Sequence, residues 1–450
     1  MKDTKRRIEW FAFFDRCGME RHLEKMAEQG WMLSKLTGFY WQYRRITPAK
    51  LHFAITYFEE ASIFDPVLPA GQEAYLAYCQ KAGWHLAANA AQFQAFYSEE
   101  EDPVPIETDA VTQVTNIHRV MMKSQLLAFL LLLFLSIFQL VSNLQMVFAE
   151  PEIELANNMM ISTISTCSLA AILCVSQILG YFLWYYRAKK AANLDGCFYD
   201  KPCGVWIGKL ALFFLVANIV FLIYAIAVSR LGIIGGMAFA IVPAVICLGL
   251  LIRNALVHKG VPKGINRFAT FAAVTLLTFV FLGGVVFVGI LTIDDHSLTE
   301  KEAKTKVPLL VSDLTEVDRT NYEIRYDRDN SFLLDRIEVE DSLRDYRDED
   351  APQLRYTLTK IKVSAIYSAC FDAIFRKNQK DWQEMSSGIG YVLEKNPSLW
   401  QAKKVYHLYR GARSHPDYIV CWKDRIAEIQ FYFDPTEKEI KAAAEALKAY

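Results

Sequence analysis

LLAFLLLLFLSIFQLVSNLQMVF, residues 126–148, contains no Asp, Glu, Lys, Arg or His. The hydrocarbon core of a bilayer takes about 20 apolar helical residues to cross, so this stretch reads as a membrane span. Four more stretches lack the same five residue types: 161–185, 210–228, 231–252 and 268–293. Soluble cores rarely supply five such runs separated by short charged connectors. The third and fourth are joined only by Ser229 and Arg230, which predicts a tight hairpin. Between residues 126 and 293 there are ten Lys or Arg and five Asp or Glu. The first run lies behind a folded-looking segment and is followed by more spans, so it is not an N-terminal targeting peptide. Over the whole chain Lys+Arg 49 nearly cancels Asp+Glu 50, which argues against a generally basic nucleic-acid binder. The first expected partner is therefore the lipid bilayer.

Connector charges predict the orientation, because basic residues stay on the cytoplasmic side. Arg119 and Lys123 precede the first span, and the next connector holds Glu150, Glu152 and Glu154 with no Lys or Arg. Arg187, Lys189, Lys190, Lys201 and Lys209 follow the second span, and Arg253, Lys259, Lys263 and Arg267 follow the fourth. The opposite face has only Arg230, Lys301, Lys304 and Lys306. The expected arrangement is a cytoplasmic N-terminus and, with five spans, an external C-terminus in the cell membrane. An even span count would reverse the second assignment.

The spans carry polar residues, Asn143, Gln145, Gln177 and Asn218, but none of the five charged types that transport pathways usually keep. Gly232 and Gly236 have the spacing that lets helices pack closely, although the general abundance of glycine in spans accounts for them equally well. Pro243 is expected to bend the fourth span, a position tolerated in membranes when neighbours satisfy the freed carbonyl. No internal repeat is visible among the spans.

Residues 1–120 read as a small α+β domain. RIEWFAFFD (7–15) is expected to be a strand and MERHLEKMAEQG (19–30) an amphipathic helix. WMLSKLTGFYWQYRR (31–45) reads as a strand, as does KLHFAITYFEE (50–60). GQEAYLAYCQKAG (71–83) and WHLAANAAQFQAFYS (84–98) then repeat helix and strand. Gly30 and Gly83 stand where a left-handed helix cap is needed, a conformation glycine adopts without steric cost. Trp31 and Trp84 follow directly and are expected to enter the core. Asp15, Glu20, His22 and Glu24 lie close in sequence, but capping and solubilising a helix explains them better than a metal or hydrolytic site. Cys17 and Cys79 have no CxxC partner and read as ordinary thiols.

This region resembles the DUF2812 family. The resemblance rests on WFAFFD (Trp10–Asp15), MAEQGWMLSKLTGFYWQY (Met26–Tyr43), ITYF (Ile55–Phe58), YLAYCQKAGWHL (Tyr75–Leu86) and FQAFY (Phe93–Tyr97), over roughly residues 8–98. It implies an N-terminal domain joined to several membrane spans. It supplies no catalytic residue and no ligand.

The membrane domain is assigned to 121–293 and a second soluble domain, of mixed α/β or α+β type, to 294–450. Its expected elements are strands in FLLDRIEVE (332–340) and LRYTLTKIKV (354–363), a helix around 364–378, paired strands within 418–434 and a final helix. Thr436 and Glu439 are spaced as a capping box for that helix. Asp327, Asp329, Ser331, Asp335 and Glu338 partly fit a calcium loop, but Phe332 occupies the position that needs glycine, so a hairpin is the better reading. Cys370 and Cys421 form a candidate disulfide if this domain is external. Cys197 and Cys203 are too far apart for a zinc knuckle and lack further ligands. No nucleotide-binding, P-loop or metalloprotease motif occurs, and no catalytic, cofactor or metal site is assigned.

The expected function is a non-enzymatic membrane-anchored binding, sensor or scaffold protein linking a cytoplasmic to an external domain. Other membrane or envelope proteins, or a second copy, are its expected partners. The alternatives are a transporter or transport accessory subunit and, behind it, a membrane-surface enzyme using carboxylates such as Asp294 and Asp295.

Overall fold

The computed structural model describes residues 3–37, 40–196, 198–199, 201, 205–228, 232–291, 297–344, 351–385 and 388–450. The chain divides into two compact units, Met1–Gln139 with Ser165–Val288, and Leu140–Ile164 with Gly289–Tyr450.

In the first unit, β1 (Thr4–Arg7), α1 (Arg16–Glu28), β2 (Trp31–Leu36) and β3 (Trp41–Arg45) are followed by β4 (His52–Tyr57), α2 (Ala70–Lys81), β5 (His85–Ala90) and β6 (Phe93–Ser98). The strands form two antiparallel sheets of order β1-β3-β2 and β4-β6-β5. Each half is therefore strand, helix, strand, strand, with its last strand in the centre. The repetition extends to detail. Gly30 has φ +80° and Gly83 has φ +82°. Each hairpin carries one register shift, between Leu33 and Lys35 in the first and between Leu86 and Ala88 in the second.

Local chemistry accounts for these elements. Asp15 caps α1 by accepting from Gly18 N at 3.1 Å, and Met19, Leu23, Met26 and Ala27 form its buried stripe. The expected strand at 7–15 is corrected: the ladder ends at Arg7 and the chain turns at Ala12, whose carbonyl accepts from Asp15 N at 2.9 Å. Ala12 and Phe14 still point into the core. The expected single strands 31–45 and 84–98 are each a hairpin. The first is closed by Thr37, whose hydroxyl donates to Tyr40 O at 2.6 Å and accepts from Tyr40 N at 3.0 Å. The second is closed at Ala91, which takes φ +51°. Aromatic alternation continues across both turns and hides them.

After Ser98 come α3 (Ala110–Val120), a π-helical turn (Met121–Gln125), α4 (Leu126–Ala149), the short α5 (Pro151–Glu154), α6 (Asn158–Asp195), α7 (Val205–Val228), α8 (Gly232–His258) and α9 (Lys263–Leu291). Among the described residues five helices are thus long and apolar enough to cross a membrane, and only 6–17% of the most apolar stretch of each is buried in protein. At 1.5 Å per residue, α6 is roughly 57 Å long, well beyond the ~30 Å of a hydrocarbon core. Its distal part packs into the N-terminal core: Tyr181, Trp184, Ala188 and Ala192 are buried there with Phe14, Leu23 and Ile117. The Phe14 and Trp184 rings lie 5.4 Å apart. The core assigned to residues 1–120 accordingly includes part of the second span's helix.

Within the bundle, Asn218 Nδ2 donates to Thr166 Oγ1 at 2.7 Å. A Cβ at Gly249 would stand 2.8 Å from Val274 Cγ2, whereas one at Gly236 would meet Ile226 at an ordinary 4.0 Å. Of these two glycines, Gly249 facing α9 is the one without room for a side chain, while Gly236 faces α7. Gly232 is the first residue of α8, and Pro243 lies inside it.

In the second unit, β7 (Ser297–Leu298), α10 (Glu300–Lys306), β8 (Tyr322–Asn330), β9 (Leu334–Leu343), β10 (Leu354–Ile361), α11 (Tyr367–Met385), β11 (Ile389–Leu393), β12 (Lys404–Arg410), β13 (Arg413–Cys421), β14 (Arg425–Phe431) and α12 (Glu437–Ala449) build one domain. Its eight strands run β11-β12-β13-β14-β10-β9-β8-β7. Two four-stranded meanders, each followed by a helix, thus meet at the antiparallel β10–β14 pair. Alternation assigns the faces. Ile337, Val339, Tyr356, Leu358, Ala427 and Ile429 pack with Ile440, Ala443 and Leu447 of α12. Leu334, Ile361, Ile419 and Ile426 pack with Cys370 and Ile374 of α11 and with Ala156 beside α5. The connector between the first two spans is thus part of this domain's core. Thr436 and Glu439 form the expected capping box. The calcium-like frame is the β8–β9 hairpin, with Asp335 held by Arg328 at 2.9 and 2.7 Å.

Candidate binding cleft

The central strands expose a polar strip beneath α11. A cleft of about 550 Å³ opens there, lined by Glu152 and Ile153 of α5, Arg336 and Glu338 of β9, Arg355 and Thr357 of β10, and Glu428 and Gln430 of β14. Lys377, Asn378, Asp381 and Trp382 of α11 close one side, and Tyr356, Tyr391, Asp417, Ile429 and Tyr432 complete the lining. The pleat places most of these residues: Arg336, Glu338, Glu428 and Gln430 stand at even positions of β9 and β14 and Arg355 and Thr357 at odd positions of β10, opposite to the α12 face.

Most charges in the cleft are satisfied by protein. Glu338 accepts from Arg336 at 3.1 Å and from Arg355 at 2.9 Å. Although burial opposes ionisation, these two guanidinium groups hold its carboxyl below the ordinary range. Lys377 Nζ is 2.8 Å from Glu150 Oε1. Glu428 accepts from Asn378 Nδ2 at 2.5 Å, and burial raises its pKa. Asp417 meets His415, with burial again pushing the acid upward.

Arg336 Nε is buried without an acceptor, and Glu152 is the acid with an unpaired buried oxygen. It is 3% exposed, and its Oε2 is buried without a hydrogen-bond partner. Burial lifts its pKa to about 7; Glu428 adds to the rise and Lys377 opposes it. Pro151, at the first position of α5, helps start the turn that presents it. Sequence spacing marked Glu152 only as one of three connector acids. The deciding information, the β-sheet across from it, lies some 180 residues away, at Arg336.

The other singled-out residues have structural roles. Trp84 is buried and donates from Nε1 to Val104 O at 2.8 Å. Trp31 is only partly buried; Lys5 lies 5.3 Å and Arg45 5.9 Å from its ring centroid. Glu20 accepts from Arg16 at 2.7 Å and from Ile55 N at 2.8 Å. His22 Nε2 is 3.2 Å from Tyr43 Oη and 3.2 Å from Glu9 Oε1. His407 Nδ1 meets Glu394 at 2.8 Å while its Nε2 meets His415 O at 2.8 Å.

The candidate Cys370–Cys421 disulfide is corrected to two free thiols buried in one apolar cluster. Burial pushes Cys370 up to about 12 and Cys421 up to about 11. Among the described residues no group of three or more His, Cys, Asp or Glu could hold a metal ion. Cys197, Cys203, Asp294, Asp295, Ser386 and Ser387 lie outside the described residues.

Five apolar helices with a small N-terminal sheet domain and a sheet-rich C-terminal domain define a multi-pass helical membrane protein. Residues 17–131 match the family model described as "Protein of unknown function (DUF2812)". That match runs past the resemblance at 8–98, through α3 and into α4. No curated protein and no solved structure matches the chain.

Proposed function

We propose that this chain is a non-enzymatic sensor of the cell membrane. Its DUF2812 region faces the cytoplasm, its C-terminal domain binds a ligand outside, and its spans connect the two. The carrying observation is the place of Glu152: the short connector between spans α4 and α6 forms one wall of the C-terminal domain's cleft. A ligand there bears directly on the junction of two membrane helices. The N-terminal core, in turn, contains Ile117 and Val120 of the helix leading into α4, and Tyr181 and Trp184 of α6.

Other contacts support the same topology. Phe198 and Tyr199, after α6, pack against the N-terminal core. Lys263, at the start of α9, donates to Glu60 O at 2.9 Å and lies 3.4 Å from Asp65. Both connectors belong to the face that the basic residues assign to the N-terminus. Partners in this reading are other membrane or envelope proteins, or a second copy.

Labelling in intact cells tests it. The native Cys370 and Cys421 are too buried to report, so exposed positions are needed. With a membrane-impermeant maleimide, Lys438→Cys should react in intact cells and Glu73→Cys only after lysis. Reaction of both, or of neither, before lysis overturns the topology and the sensor reading with it.

A further inference from the structure

We propose that the C-terminal cleft binds a small organic amine, with its ammonium group seated against Glu152 and Glu428. Five carboxylates and three basic side chains line this cleft. All three bases have a carboxylate beside them, Arg336 and Arg355 on Glu338 and Lys377 on Glu150, although Arg336 Nε is itself buried without an acceptor. The acid with an oxygen left over is Glu152. Glu152 Oε2 is buried with no donor, and a buried carboxylate oxygen without a donor costs on the order of 1–3 kcal/mol. A positively charged N–H donor removes that cost and offsets the excess negative charge.

Geometry narrows the donor. No ligating triad exists among the described residues for a metal ion. A volume of about 550 Å³ lies within the range of small-molecule sites, which run from roughly 300 to 1,000 Å³. Trp382, Tyr391 and Tyr432 supply aromatic surface for an aliphatic chain and for cation–π contact. An anion would meet a lining with more carboxylates than bases. The raised pKa of Glu152 fits a site completed by a cation: bound amine favours the carboxylate, so binding near neutral pH releases a proton. The groups bearing on that titration are Glu150 on the connector, Lys377 on α11 and Glu428 on β14.

This inference deepens the sensor reading by naming the ligand class, and rests on that reading only for its purpose. Titration calorimetry on the purified full-length chain in detergent tests it, with 1,4-diaminobutane as probe at pH 7 in two buffers of different ionisation heat. Saturable binding with proton release is expected, weakened at least tenfold in Glu152→Gln, with glutarate not binding. Lys377→Ala should bind the diamine at least as tightly as the parent chain. Absent diamine binding, preferential glutarate binding, or wild-type affinity in Glu152→Gln overturns the assignment. If Glu152→Gln does not fold, Glu428→Gln carries the test, with the same tenfold loss expected and wild-type affinity overturning it. Calorimetry needs no signalling output, so its failure removes the ligand class alone, while the labelling experiment decides the sensor reading.

Discussion

Lys377 and Glu150 form an ion pair of 2.8 Å between α11 and the connector that follows the first span. It is the charged tie beside a cleft whose wall is that same connector. Both side chains are more than 40% exposed, so water screens the attraction. A double-mutant cycle with Lys377→Ala and Glu150→Gln should give a coupling of no more than about 1 kcal/mol in thermal unfolding. A larger coupling would mean the pair organises the connector.

Glu152 predicts a pH dependence. Its folded pKa, about 7, lies above the ordinary value of 4.5, so the folded state holds more protons between those two values. Its contribution is fully present below about pH 4.5 and is lost as pH rises through about 7. Full expression of that shift is worth no more than about 3 kcal/mol. The thermal midpoint of the C-terminal domain should fall between pH 5 and 8, and Glu152→Gln should flatten that decline. An unchanged slope in the variant would assign the dependence to other groups.

Gly30 and Gly83 hold the same left-handed conformation in different surroundings. An alanine at either position incurs about 1–2 kcal/mol for positive φ. At Gly30 the new Cβ would stand 3.0 Å from the backbone carbonyl of Ile46, while at Gly83 its nearest neighbour is the side chain of Glu100. A side chain can swing away more readily than a backbone carbonyl. Gly30→Ala should therefore lower the unfolding midpoint more than Gly83→Ala; the reverse order would contradict this account.

Cys370 and Cys421 should resist alkylation in the folded protein. With pKa values near 12 and 11, their thiolate fractions at pH 8 are on the order of 10²–10³ times below that of an exposed thiol. Mass spectrometry after iodoacetamide should find both modified only in denaturant. Rapid modification without denaturant would show that α11 leaves the sheet.

The sequence made the five spans plain because a run without charge for 20 residues has few other uses. The capping box at Thr436 and the C-caps at Gly30 and Gly83 were legible for a similar reason: each needs only neighbouring residues. The Thr37–Tyr40 hydrogen bonds and the turn at Ala91 were not, since aromatic residues continue on both sides. Strand β12 was hidden in a locally basic stretch, WQAKKVYHLYRG, whose Val405 and Leu408 point into the sheet's core while its charges face out. The cleft was illegible altogether. It gathers Glu152, Arg336, Lys377 and Glu428 from four separate elements, and Ser331 Oγ, donating to Leu155 O at 2.6 Å, is one of the distant contacts that attach the connector to the sheet.

Helix α1 belongs to the first strand–helix–strand–strand half by sequence, yet its Glu20 accepts from Ile55 N in the second half. Its stripe of Leu23, Met26 and Ala27 shares a core with Phe53 and Ile55. The halves therefore interlock. A chain severed near residue 50 would leave that helix without the surface it covers, and neither fragment would be self-sufficient.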